Sequence, residues 1–310
     1  MFLERRTRFI RHYRFNIYGR KKRAPAIPIV APDGEYSVMA AINAAYARDE
    51  AFVHTANGDI VEVVDVEPNT DARALTILFH RASPDAADPD YRKKNGKIVT
   101  VRTADREDDE EQSVSCHLII KTDKRSDGSY DVYLEEIPKI SMTLVQQIIA
   151  RALNSYKYEF TDQKGKPDET YTVLKSGGVK DETVTNALKG GYFGYITLVR
   201  PADASFVDGT DFEAMNERMR IRIKKDIDRE KWYQKIGKLA QGARSKGWED
   251  FLIDLNLEEG RKKTVKIERG EEGKEVVFVR SEQISVSKDL PVCSTKVRKD
   301  LVEEAVKVGQ

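Results

Sequence analysis

The chain of 310 residues exceeds one average domain, and a length of this kind implies about two domains. A hydrophobic share of 40% supplies real cores and a charged share of 34% a well-solvated surface, which together exclude a chain disordered throughout. The formal net charge is only +1, from 53 Lys and Arg against 52 Asp and Glu, so bulk charge does not hold this protein to a polyanion and such a partner has to meet a local cluster.

In chain order, Phe9, Tyr13, Phe15 and Ile17 alternate with Arg8, His12, Arg14 and Asn16, Arg11 being the one break, so the first element is a basic strand whose aromatics face a core or, as the alternative, stack on bases. Arg5 to Arg23 hold nine Arg or Lys and no acid. GRKKRAPAIPIVAPDG follows as a loop, and YSVMAAINAAYAR, with Val38, Ile42 and Tyr46 spaced by four, predicts a helix. Strands at Ala51 to His54 and Asp59 to Val66 flank Asn57-Gly58, a hairpin signal. ALTILFH, Ala74 to His80, is apolar enough for a buried strand. The polar ASPDAADPDYRKKNGK beyond Arg81 reads as a long loop.

KIVTVRT, SVSCHLIIK and YDVYLEE continue the strands, with six acids of DREDDEE (Asp105 to Glu111) in a connection. Ser141 caps a helix over MTLVQQIIARALNSY, whose apolar face is Val145, Ile148, Ile149, Ala152 and Leu153. FTDQKGKPDETY reads as a linker or an exposed hairpin. GYFGYITLVRP after Gly190-Gly191, ERMRIRIK, FLIDLNL, KTVKIE and EVVFVRS supply further strands, a basic helix runs from Arg229 to near Gly247, and DLVEEAVKV closes the chain as a helix. The expected fold is α+β: two mainly antiparallel β-sheets with a few packed helices, divided into residues 1–160 with the basic first strand and 161–310 with a basic strand-helix segment.

No apolar run approaches the roughly 20 residues of a spanning helix, and the opening MFLERRTRFIRHYRF lacks the apolar core of a secretory signal. The expected location is the cytoplasm, without direct membrane insertion. Cys116 and Cys293 are the only cysteines, far apart and without metal-ligand spacing, so free thiols are expected rather than a disulfide or a zinc site.

The strict catalytic motifs are absent: no GxxxxGK[ST], HExxH, GxSxG or CxxC occurs. GGYFG at Gly190 to Gly194 precedes a strand rather than a helix N-terminus and reads as a turn. His80 and His117 end or occupy apolar strands. With Asp71, Asp85 or Asp123 they form the alternative reading, a metal-dependent nuclease in which imidazole and carboxylate hold a divalent ion; packed structural histidines are the plainer account. Glu135 and Glu136 point to opposite strand faces, and EEGKE (Glu271 to Glu275) resembles a turn, so surface carboxylates are expected at both. No cofactor and no resident metal is expected.

In ERMRIRIKK, Met219, Ile221 and Ile223 alternate with Arg218, Arg220, Arg222 and Lys224, which places the cations on one face of a strand and the apolar residues on a core. Side chains two apart on a strand lie about 7 Å from one another, close to the spacing of phosphates along a nucleic-acid strand. Glu217 to Lys246 carry 11 Lys or Arg against four Asp or Glu. Such a row also guards a sheet edge against aggregation. The favoured reading is a non-enzymatic, sequence-tolerant nucleic-acid binder, DNA before RNA, using Arg14, Arg20, Lys21, Lys22, Arg23, Arg218, Arg220, Arg222, Lys224 and Lys225. The acidic DREDDEE run is a solvated loop or a phosphate mimic that covers this surface.

The order of elements, with RFIRHYRFNIYGRKKR first, ALTILFHRASPDAADPDY in the middle and FLIDLNLEEGRKKTVKIE later, resembles the Rex exclusion proteins of lambdoid phages, the RexA family. The resemblance implies a cytoplasmic, non-enzymatic, DNA-binding homodimer acting in antiviral defence with a protein partner. It transfers no site residue position by position.

Overall fold

A computed structural model describes residues 3–31, 36–55, 58–95, 98–162, 164–179, 192–201, 216–222, 232–248, 250–256, 262–267 and 279–309. Strands β1 (Thr7–Gly19), β2 (Phe52–His54), β3 (Ile60–Asn69), β4 (Ala74–Ser83), β5 (Asp90–Asn95), β6 (Ile98–Thr103), β7 (Gln112–Lys124), β8 (Tyr130–Glu135), β9 (Lys157–Thr161) and β10 (Pro167–Gly178) precede β11 (Tyr192–Pro201), β12 (Asn216–Arg222), β13 (Asp250–Asn256), β14 (Lys262–Ile267) and β15 (Ser281–Ser285). The helices are α1 (Val38–Ala47), α2 (Met142–Ser155), α3 (Trp232–Arg244) and α4 (Lys299–Val308). The class is α+β, as composition and pattern imply.

The chain divides into two compact units, Met1–Gly177 with Ser281–Gln310, and the intervening Gly178–Arg280. The first is built on a nine-stranded sheet, ordered β2-β3-β4-β7-β8-β1-β10-β9 with β15 also paired to β1. One large sheet thus replaces the first of two comparable ones. The β9–β10 pairing, Pro167↔Thr161 to Tyr171↔Lys157, turns FTDQKGKPDETY into a hairpin rather than a linker, so a boundary at 160/161 would cut through paired strands. The last 30 residues return to the first unit because β15 adds antiparallel to β1, from Thr7↔Ser285 to Arg11↔Ser281. Leu301, Val302, Ala305 and Val306 of α4 then join one core cluster with Ile10, Ala74, Ile119, Tyr133 and Ile284.

β4 lies between β3 and β7, and Ala74 to Phe79 are all buried, which is what a continuous apolar run achieves when both sheet faces are covered. Ser37 and Ser141 accept hydrogen bonds from the Ala40 and Leu144 amides and cap α1 and α2. The expected face of α2 is wholly buried. In α1 the stripe is Val38, Ala41, Ile42 and Ala45, while Tyr46 faces solvent.

β1 departs from its pattern. Arg8, Ile10 and His12 are buried in its first half, then Tyr13, Phe15 and Ile17 in its second, while Phe9 is 47% exposed. Successive strand residues face opposite ways, so the strand changes its buried side midway, from the face under α4 to the other. The polar stretch after Arg81 holds β5, which pairs with β6 from Asp90↔Thr103 to Asn95↔Ile98. Every residue of that ribbon is exposed, so it buries no apolar face for the sequence to announce.

The second unit carries a four-stranded antiparallel sheet, ordered β12-β11-β13-β14, with Ile196, Leu198 and Ile253 buried on one face. Where the chain leaves and rejoins this unit, the Arg280 amide donates to the Val179 carbonyl at 2.8 Å.

Candidate nucleic-acid interface

β12 is an edge strand, and its register on β11 sets Arg222 opposite Tyr195, Arg220 opposite Thr197 and Arg218 opposite Val199. Ile196 and Leu198, buried on the other face, pair with Ile221 and Met219. The three arginines therefore share the open face, and all are exposed. Edge position weakens the expected core face: Met219 is 45% exposed and Ile221 half-buried. Ile223, Lys224 and Lys225 lie outside the described residues, as do Gly190-Gly191 and the EEGKE segment.

Tyr195, itself on the open face, has the Arg220 guanidinium 4.0 Å above its ring centroid. That contact orients a planar cation against an aromatic plane. Arg220 also reaches Asp254, at a long 3.6 Å. Arg200 is paired to Glu217 at 2.7 Å and lies over the Trp248 ring. No ion pair of Arg218 or Arg222 occurs among the described residues.

The N-terminal cations are divided. Arg14 sits 3.7 Å from Asp127 and 4.0 Å from Asp131, two carboxylates of the same sheet region. Lys21 binds Asp168 at 2.6 Å, and its hydrogen bond holds that carboxyl below the usual carboxylate range. Arg20, Lys22 and Arg23 project from a tight turn at the end of β1. That turn requires Gly19, where a Cβ would strike Ala24, and takes Arg23 to φ 68°. The strand aromatics Tyr13 and Phe15 are core residues, whereas Tyr18 is exposed beside Lys175.

A buried ionic cluster in the first unit has no signature in local pattern. Arg8 donates from Nε to Glu135 at 2.8 Å, and Glu135 also accepts from the His117 amide at 3.1 Å and from His117 Nδ1 at 2.7 Å. His117 Nε2 accepts the Arg298 amide at 3.2 Å, which fixes the proton on Nδ1. Glu135 is 3% exposed, so the surface reading of this carboxylate is corrected. Glu136, on the opposite face, pairs with Arg11 at 2.8 Å. The cluster ties β1, β7 and β8 to the start of α4, and His117 is structural within it.

His80, diagonal to His117 on the same face of the β4–β7 pairing, is half-buried against Cys293 and the Ser294 carbonyl, at the wall of a cleft of about 680 Å³. The acidic run Glu107–Glu111 lines that cleft with Asp88, Arg106 and Ser113, and the lining includes none of the N-terminal cations from Arg14 to Arg23. Among the described residues no group of three His, Cys, Asp or Glu is arranged to hold a metal ion, and the alternative nuclease reading finds no centre there. Asp123, one of its carboxylates, is paired to Arg73 at 2.7 Å.

No protein-family model, curated protein or solved structure matches the chain. Among the described residues no helix is long and apolar enough to cross a membrane.

Proposed function

We propose that the protein binds nucleic acid without strong sequence preference, through the open face of the β12–β11 sheet edge, and acts as a non-enzymatic, DNA-binding component of phage exclusion, as the likeness to the Rex proteins implies. The observation that supports the reading is the exposed row Arg218, Arg220 and Arg222 beside Tyr195. A strand sets such guanidinium groups about 7 Å apart, near the phosphate repeat, and the Arg220 guanidinium over the Tyr195 ring forms a cation–aromatic pair beside which a base of any sequence can stack. Arg20, Lys22 and Arg23 supply a second exposed cluster in the other unit. Arg14 and Lys21 contribute less, since carboxylates of the protein already engage them.

The test is a salt-titrated gel shift of the full chain with single-stranded DNA, duplex DNA and RNA. Arg218→Gln, Arg220→Gln and Arg222→Gln combined weaken all sequences alike and lower the slope of log K against log salt by about two to three, each phosphate contact being worth roughly 0.7 to 0.9. A variant that binds with unchanged affinity and slope overturns the assignment and leaves β12 as a guarded sheet edge.

A further inference from the structure

We propose that Cys293, held by His80 and Ser113 beside the acidic cleft, is a reactive thiol and the protein's site of covalent modification by uncharged electrophiles, hydroperoxides foremost. The three side chains come from separate parts of the chain. His80 is in β4, Ser113 is the second residue of β7 and lies opposite Ala82, and Cys293 follows β15. Ser113 Oγ donates to Cys293 Sγ at 3.1 Å, while Nε2 and Nδ1 of His80 lie 3.5 and 3.8 Å from the same sulfur. A carbonyl oxygen only accepts, so His80 Nε2, 2.8 Å from the Ser294 carbonyl, carries a proton. Nδ1 is then the nitrogen that takes the thiol proton, giving an imidazolium beside a thiolate that Ser113 solvates.

The surroundings favour that charge separation. Burial opposes the thiolate, but the hydrogen bonds of His80 and Ser113 outweigh it and draw the Cys293 thiol below its ordinary value. The Cys293 hydrogen bond, against partial burial, raises His80, helped by the Ser294 carbonyl and by Glu62, its cross-strand partner. Backbone contacts fix the sulfur in place: the Ser115 amide donates to the Val292 carbonyl at 3.1 Å and the Ser294 amide to Ser115 Oγ at 3.0 Å.

Cys116 behaves oppositely. It is fully buried, and burial pushes its thiol well above the ordinary range. Strand alternation puts it on the face of β7 away from Ser113 and Ser115, so the two cysteines form no internal disulfide. With a hydroperoxide, the Cys293 thiolate attacks the terminal peroxide oxygen, the O–O bond breaks as the S–O bond forms, and the departing alkoxide takes the proton stored on His80. Sulfur is oxidised to a sulfenic acid and the peroxide is reduced to an alcohol, or to water from hydrogen peroxide. Glu107–Glu111 on the adjoining wall repel anionic reagents, Arg106 there being paired to Asp88.

The full-length native protein is treated at neutral pH with iodoacetamide, iodoacetate, or hydrogen peroxide followed by dimedone, and adducts are located by peptide mass spectrometry. Cys293 takes each label while Cys116 stays free. Normalised to free cysteine, iodoacetamide outpaces iodoacetate by about tenfold, the scale on which a cleft of net negative charge changes encounter rates. His80→Asn slows alkylation by about tenfold as the thiolate fraction falls, and Ser113→Ala slows it less, which keeps the test open if the histidine variant does not fold. Equal labelling of both cysteines in the native protein, or a Cys293 no faster folded than in guanidinium, overturns the proposal.

Discussion

β1 carries Arg8, Arg11 and Arg14 through the middle of a large sheet, and β12 carries Arg218, Arg220 and Arg222 along the edge of a small one. Beside β1 runs β8 with its following residue, and from there or the preceding turn come Glu135 for Arg8, Glu136 for Arg11 and Asp131 with Asp127 for Arg14. Beside β12 runs β11, whose facing residues are Val199, Thr197 and Tyr195, and among the described residues only Asp254, one strand further, reaches back to Arg220. A basic strand is thus neutralised or left available by its neighbour across the sheet, not by its own composition. Charge counting along the chain sees the two as equals.

The contrast is broken most severely at Glu135. Replacing it with Gln leaves Arg8 buried without its counter-charge, and removing one partner of a buried pair costs about 3 to 5 kcal/mol; urea denaturation of the full chain measures it. The same substitution leaves nucleic-acid affinity of the surviving folded protein unchanged. Next in size is the combined Arg218, Arg220 and Arg222 variant, which loses binding and keeps its denaturation midpoint, because exposed charges hold little stability.

A finer contrast lies within the N-terminal segment. Arg20, Lys22 and Arg23 changed together to Gln lower the salt slope, whereas Arg14→Gln leaves it as it was, since Asp127 and Asp131 already stand by that guanidinium. The smallest effect concerns Lys21 and Asp168. The folded carboxyl titrates below its unfolded value, so its stabilisation is present above the ordinary carboxylate range and disappears as pH falls through the depressed value. Lys21→Gln therefore flattens the acid limb of a stability-against-pH curve and does nothing at neutral pH beyond the loss of an exposed contact.

Much of the scaffold was legible. The Ser141 cap and the apolar face of α2, the apolar β4 and the helix at the end of the chain all follow from short-range pattern, and pattern is enough where one element buries one continuous face. β15 was not legible, because SEQIS buries little beyond Ile284 and owes its strand to β1. Nor was the burial of Arg8 and His12, on the face of β1 where Ile10 packs against a helix nearly 300 residues downstream. Of the candidate site, the alternation of β12 was readable and the availability of its cations was not. The His80–Cys293 contact spans 213 positions and left no local trace.

The hydrogen bond between Arg280 and Val179 closes the neck through which Gly178–Arg280 is spliced into the chain. Such a neck makes the inserted stretch a cassette in hereditary terms. Exchange of the stretch from Val179 to Arg280 replaces β12 and its arginines and leaves every strand of the nine-stranded sheet whole.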